Sequence, residues 1–111
     1  MGMRSLIVIQ SQYDEPVTIY SHWGGVLNLS VVKDVMARTS RNDSPYLAAQ
    51  LFYEFATRTG YEGNLGMGII AGDGSSYLPD RPTVYVHAED QTYTYDGITY
   101  SAQGEEVLQD A

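Results

Sequence analysis

One short stretch, Tyr20-Ser21-His22-Trp23-Gly24-Gly25, gathers residue types suited to holding a polar ligand: a tyrosine hydroxyl, an imidazole, the only tryptophan and two glycines. It stands where an extended apolar run gives way to the first helical pattern. A strand that empties into a glycine pair and then a helix presents side chains and helix N-terminal N–H groups to one point, which suits an anion. His22 can serve there as a general base, a ligand-orienting donor or a cap. Tyr20, Trp23 and Tyr46 can stack on a nucleobase or another planar ring, while Arg41, Arg58 and Arg81 are the cations able to grip a phosphate with a bidentate fork. The plainer assignment makes Trp23 a core anchor and leaves the arginines solvated or paired with surplus acids.

A complete reaction centre is not legible. There is no cysteine, hence no thiolate nucleophile, disulfide or Cys-based metal site. His22 and His87 show neither HxH nor HExxH spacing, and Ser21, Ser40, Ser44, Ser75 and Ser76 lie in no nucleophile elbow. Gly63-Asn64-Leu65-Gly66-Met67-Gly68 follows a helical pattern and enters a strand, the reverse of a phosphate-binding loop, and no Gly-Lys-Ser/Thr occurs. We therefore assign no catalytic residue, no metal and no cofactor from the sequence, and expect a binding protein rather than an enzyme.

The elements that must position these residues are short. At 111 residues the chain makes one domain, small enough that self-association would help bury apolar surface, and a homo-oligomer is expected. Its ten tyrosines and 43% hydrophobic content argue for a folded chain despite a net charge of −8. Fourteen acids against six bases, with no basic run, argue against direct nucleic-acid binding and favour solubility, a basic protein partner or mimicry of nucleic-acid charge. The apolar run near the start is too short for a signal peptide and no stretch approaches membrane-spanning length, so a cytoplasmic protein with no membrane partner is expected.

Leu6 to Ile9 is continuously apolar and reads as a central strand. After a turn at Pro16, Val17 to Trp23 alternates, with Val17, Ile19, Ser21 and Trp23 inward and Thr18, Tyr20 and His22 on the more exposed face. Antiparallel pairing with the first strand is the simplest arrangement. Leu29, Val32, Val35 and Met36 mark a first helix capped by Asn28 or Ser30. Leu47, Ala48, Leu51, Phe52 and Phe55 mark a second, with Pro45 in its first turn, Ser44 or Asp43 as cap, a Glu54–Arg58 pair outside and Gly60 as its stop. Strands follow at Met67 to Ala71 and Thr83 to Glu89, then a hairpin turning at Asp96-Gly97. The order ββααββββ predicts an α+β fold, a mostly antiparallel sheet with two helices on one face. Tyr85 with Tyr93, Tyr95 or Tyr100 is expected to line the free face. Residues 102–111 read as a helical turn or a frayed tail.

The stretch Tyr20-Ser21-His22-Trp23-Gly24-Gly25 after a strand, Ser44-Pro45-Tyr46-Leu47-Ala48 opening a second helix, and the Gly-rich strand entry near Thr59-Gly60 resemble a group of small proteins from tailed phages, prophages and actinobacterial genomes. The resemblance spans roughly Leu6 to Ile70. The chain departs from the group around Arg41-Asn42-Asp43, where a more charged, Trp-containing loop is expected. What the resemblance implies is a counter-defence protein in the cytoplasm of an infected or lysogenic bacterium. Such a protein would sequester a nucleotide-like immune signal without catalysis. The alternatives are an acidic protein that masks a host defence protein, as anti-CRISPR proteins do, or a small hydrolase using His22. The ligand contacts expected for the first reading are Tyr20, His22, Trp23, Gly24, Gly25, Arg41, Tyr46 and Arg58.

Overall fold

The computed structural model describes residues 3–22, 25–59 and 66–108; Trp23, Gly24 and Gly60 lie outside them. Six strands form one sheet in the order β3-β2-β1-β4-β5-β6, namely β1 Ser5–Gln10, β2 Val17–Ser21, β3 Met67–Ala71, β4 Val84–His87, β5 Thr92–Tyr95 and β6 Ile98–Ser101. Between β2 and β3 come a short 3-10 turn, Gly25–Leu27, and two helices, α1 Asn28–Arg38 and α2 Ser44–Thr59. This is the expected α+β order, with every neighbouring strand pair antiparallel except β1 and β4.

The apolar run Leu6 to Ile9 occupies the centre of the sheet because nothing along it needs water. Each of its four residues is at most 4% exposed. Both helices cover one face, where Ile7, Ile9, Ile19, Val84 and Val86 meet Val31, Val32, Val35, Leu47, Leu51 and Phe55. The helices run antiparallel and are tied across by charge. Arg38 donates to Glu54 at 2.7 Å, and Arg58 donates to both Glu54 at 2.8 Å and Asp34 at 2.6 Å.

The opposite face is covered in part by the chain between β3 and β4. Because β3 is an edge strand and β4 lies beyond β1, residues 72–83 cross back over β2 and β1. Thr18, expected on an exposed face, is fully buried beneath this crossover and donates to the Gly72 carbonyl at 2.8 Å. A one-residue alternation reads side-chain direction but not what later chain will lie above it.

Three further expectations are corrected. Tyr93, Tyr95 and Tyr100 point to the helix-bearing face: Tyr93 is 1% exposed, opposite Val86, and stacks on Tyr100 with ring centroids 5.4 Å apart. Residues 102–108 are neither helical nor frayed. They return along β6, with the Val107 N–H donating to Thr99 and an antiparallel bridge between Tyr100 and Glu106. No side chain caps α1: Asn28 instead donates to the Pro82 carbonyl at 3.0 Å, pinning the helix start to the crossover. Ser44 likewise donates to Asp14, and the Asp43 carboxylate pairs with Arg41.

Candidate functional site

At the end of the sheet where β2 finishes, Tyr20 and His22 point to the helix-free side two residues apart. The Tyr20 hydroxyl lies 2.8 Å from His22 Nδ1, and the two rings are tilted at 6.3 Å. Tyr77, from the crossover, packs on Tyr20 with centroids 5.7 Å apart. Arg4 and Asp80 close this end. The Asp80 carboxylate accepts from the Arg4 backbone N–H at 3.0 Å and from its guanidinium at 3.3 Å. These bonds from Arg4, backbone first, hold the Asp80 carboxyl below its ordinary range, with a smaller contribution from the nearby His22.

Two adjoining hollows form between the crossover and the sheet, sharing Leu6, Tyr77 and Pro79. One, about 170 Å³, is lined also by Arg4, Tyr20 and Leu78. The other, about 360 Å³, extends past Gln10, Thr83 and Tyr85 to Asp73 and Ser75. Together they make a trough walled by tyrosines, with Arg4, its guanidinium paired to Asp80, at one end and Asp73 at the other. Asp73 accepts from the Ser75 N–H at 3.0 Å, which favours its ionised form and keeps its carboxyl below the usual range. Arg81 adjoins the Arg4 end, its backbone N–H donating to the Arg4 carbonyl at 3.2 Å and its side chain making no ion pair among the described residues, so a ligand with an anionic end and amino or hydroxyl donors would fit best with that end toward Arg81 and its donors toward Asp73.

The residues nominated from sequence do not converge. Tyr20 lines the trough, and His22 stands beside it, bonded to the Tyr20 hydroxyl. Gly25 is buried beside them, yet its role is a close approach: a Cβ there would overlap the Met3 carbonyl. With the helix start also tied to Pro82, Gly25 serves packing rather than an open anion cradle. Arg41 and Tyr46 sit at the far end of the helix pair, about 16 Å away along α1. There the Arg41 guanidinium forks onto Asp43 at 3.1 and 3.3 Å and lies 4.4 Å over the Tyr46 ring. Arg58 lies in the helix layer, across the sheet from the trough, with its Nε engaged by Glu54 and one terminal nitrogen by Asp34.

Sequence reasoning missed Arg4, Tyr77 and Asp80 as members of the site. Tyr77 sits in a glycine- and serine-rich loop and Arg4 just ahead of a strand, so only the crossover's path brings them to Tyr20. Arg81, noted as a phosphate-gripping cation, is better placed than Arg41 or Arg58. Its stem passes over Gly25, and it makes no ion pair among the described residues. No group of three or more His, Asp or Glu side chains is placed to hold a metal ion among the described residues, and no helix among them is long and apolar enough to cross a membrane. Comparison with protein-family models, with curated proteins and with solved structures finds no match to this chain.

Proposed function

We propose that this chain is a non-catalytic binding protein that takes up a nucleotide-like small molecule in the tyrosine-walled trough. Tyr77 and Tyr85, 45% and 40% exposed, offer faces to a planar ring. Asp73 and Gln10 meet its amino or hydroxyl donors. Arg81, beside the Arg4–Asp80 pair, and His22, beside Tyr20, adjoin the end that receives its anionic group. The observation that carries this reading is the 360 Å³ hollow, which lies in the size range of small-molecule sites and joins the Arg4–Tyr20 end directly. The counter-defence role implied by the resemblance follows as a proposal: a trough that binds without transforming its ligand removes a nucleotide signal from solution.

The masking alternative rests on the net charge of −8 alone, and a hydrolase would have to work from a His22 whose Nδ1 is already engaged with Tyr20. Native mass spectrometry of the protein purified from a bacterial host, followed by denaturation, tests the proposal. An intact nucleotide released on unfolding is the expected result. A protein that is empty, and stays empty with a panel of cyclic nucleotides and ADP-ribose derivatives, overturns it. Recovery of a cleaved product would show an enzyme instead.

A further inference from the structure

The two edges of the sheet are finished differently. At β6 the returning segment covers the strand, and Glu105 and Glu106 place charge on the outside. This is how an edge is kept from pairing with another chain. At β3 nothing among the described residues bonds to the outer side. The strand is Met67-Gly68-Ile69-Ile70-Ala71, with no charge, no proline and no bulge against β2.

Above this bare edge lies an apolar groove of about 500 Å³ between α2 and β3, lined by Pro45, Ala48, Phe52, Tyr53, Ala56 and Ile69 among others. It exists because α2 sits over β1 and β2 rather than over β3, so the helical stripe is wider than the sheet beneath it. Leu47, Leu51 and Phe55 are fully buried, whereas Ala48 and Phe52 are only partly so. Ile69 and Tyr53 each remain 65% exposed.

We infer that this edge and groove bind a second copy of the same chain, β3 pairing antiparallel with the partner's β3 about a two-fold axis and α2 packing beside the partner's α2. Three observations select a second copy as the occupant. An antiparallel edge is self-complementary, because the donors and acceptors it presents are those its own copy needs. The surface is neutral: residues 44–53 and 67–71 contain no charged side chain, whereas the chain as a whole carries −8. Two acidic copies can therefore meet here without bringing like charges together. The contact is also two-layered: a five-residue strand, about 17 Å long, lies about 10 Å beneath a 16-residue helix, about 24 Å long, so a second copy would join the sheet and pack its helix in the same step. The inference is independent of the ligand reading, since the groove is on the helix-bearing side and the trough on the other.

Light scattering coupled to size-exclusion chromatography tests it, on the whole chain at about 0.1 mM, where even a micromolar dimer is formed. The wild type is expected at twice the 12.3 kDa chain mass. Ile69→Lys puts a charge on an already exposed position and should raise the dimer dissociation constant at least 100-fold, leaving a monomer with unchanged circular dichroism. Tyr53→Lys on the helix gives a second reading should the strand variant fold poorly. Leu108→Lys, at an 81% exposed position outside the groove, should leave the dimer intact. A monomeric wild type overturns the inference, whether or not the edge then accepts some other extended chain. So does a dimer that persists in both groove variants.

Discussion

The Tyr20 hydroxyl lies 2.8 Å from His22 Nδ1, so the imidazole is oriented by a residue two positions earlier on the same face of β2. The same tyrosine ring is packed by Tyr77, which links the His22 corner to the trough wall. Removing either link should be felt in ligand binding before it is felt in stability. Tyr20→Phe keeps the ring and loses one hydrogen bond, an expected loss of about fivefold in affinity for the nucleotide recovered from the protein. Tyr77→Ala loses a stacking face, with an expected loss of at least about tenfold. Calorimetric titration checks both. Unchanged affinity in the two variants together would remove the trough from consideration.

The arginines separate the site that the structure describes from the one legible in sequence. Arg81→Ala should weaken binding of an anionic ligand about tenfold, because it removes a cation that has no carboxylate partner among the described residues. Arg41→Ala and Arg58→Ala should leave affinity unchanged, since Asp43 occupies the first and Glu54 and Asp34 the second. Weaker binding in Arg41→Ala with no effect in Arg81→Ala would move the site to the far end of the helices.

What could be read from the chain followed range of interaction. The Asp96-Gly97 turn was legible because its cause is local: φ values of 52° and 84° need residues that tolerate the left-handed region. The Glu54–Arg58 pair was legible from helical spacing, and the strand Met67–Ala71 from its flanking turn residues. The parallel pairing of β1 with β4 was not, because it joins residues far apart in sequence and leaves no periodic mark. Everything missed about the site descends from that pairing. It sends residues 72–83 over the helix-free face, buries Thr18 and delivers Tyr77 and Asp80 to Tyr20. The tyrosines of β5 and β6 were misplaced for a different reason: a hydroxyl suggests a wet face, but a ring as large as that of Tyr93 gains more by packing under α1.

The ion pairs between the helices make stability depend on pH at the acid end. Arg38 and then Arg58, through their hydrogen bonds, hold the Glu54 carboxyl below its ordinary value of 4.5. A carboxyl with a lowered folded-state pKa binds fewer protons folded than unfolded. Its stabilising contribution is thus present above the unfolded value and is lost as pH falls from about 4.5 through the folded value. Glu54→Gln should flatten the acid limb of a melting-temperature profile below that pH and cost about 1 kcal/mol at neutral pH. A mutant profile parallel to the wild type throughout would show that Glu54 does not tie the helices together.

Gly25 and Gly68 provide the sharpest contrast between a glycine required by packing and one that is not. At Gly25 a methyl group would overlap the backbone carbonyl of Met3, which cannot swing aside as a flexible side chain would. Gly25→Ala should therefore displace the chain before β1 or the turn before α1, at a cost of about 1–3 kcal/mol in chemical denaturation. At Gly68, within β3, no heavy atom lies within 4 Å of the added carbon, and φ is not in the left-handed region. Gly68→Ala restricts the unfolded chain without a clash and should be neutral or stabilising by up to about 1 kcal/mol. The pair also tests the role of the corner. If Gly25 packs against Met3, Gly25→Ala loses stability, and ligand affinity measured on the folded fraction stays close to wild type. If Gly25 were part of an anion cradle, affinity would fall while the unfolding midpoint held.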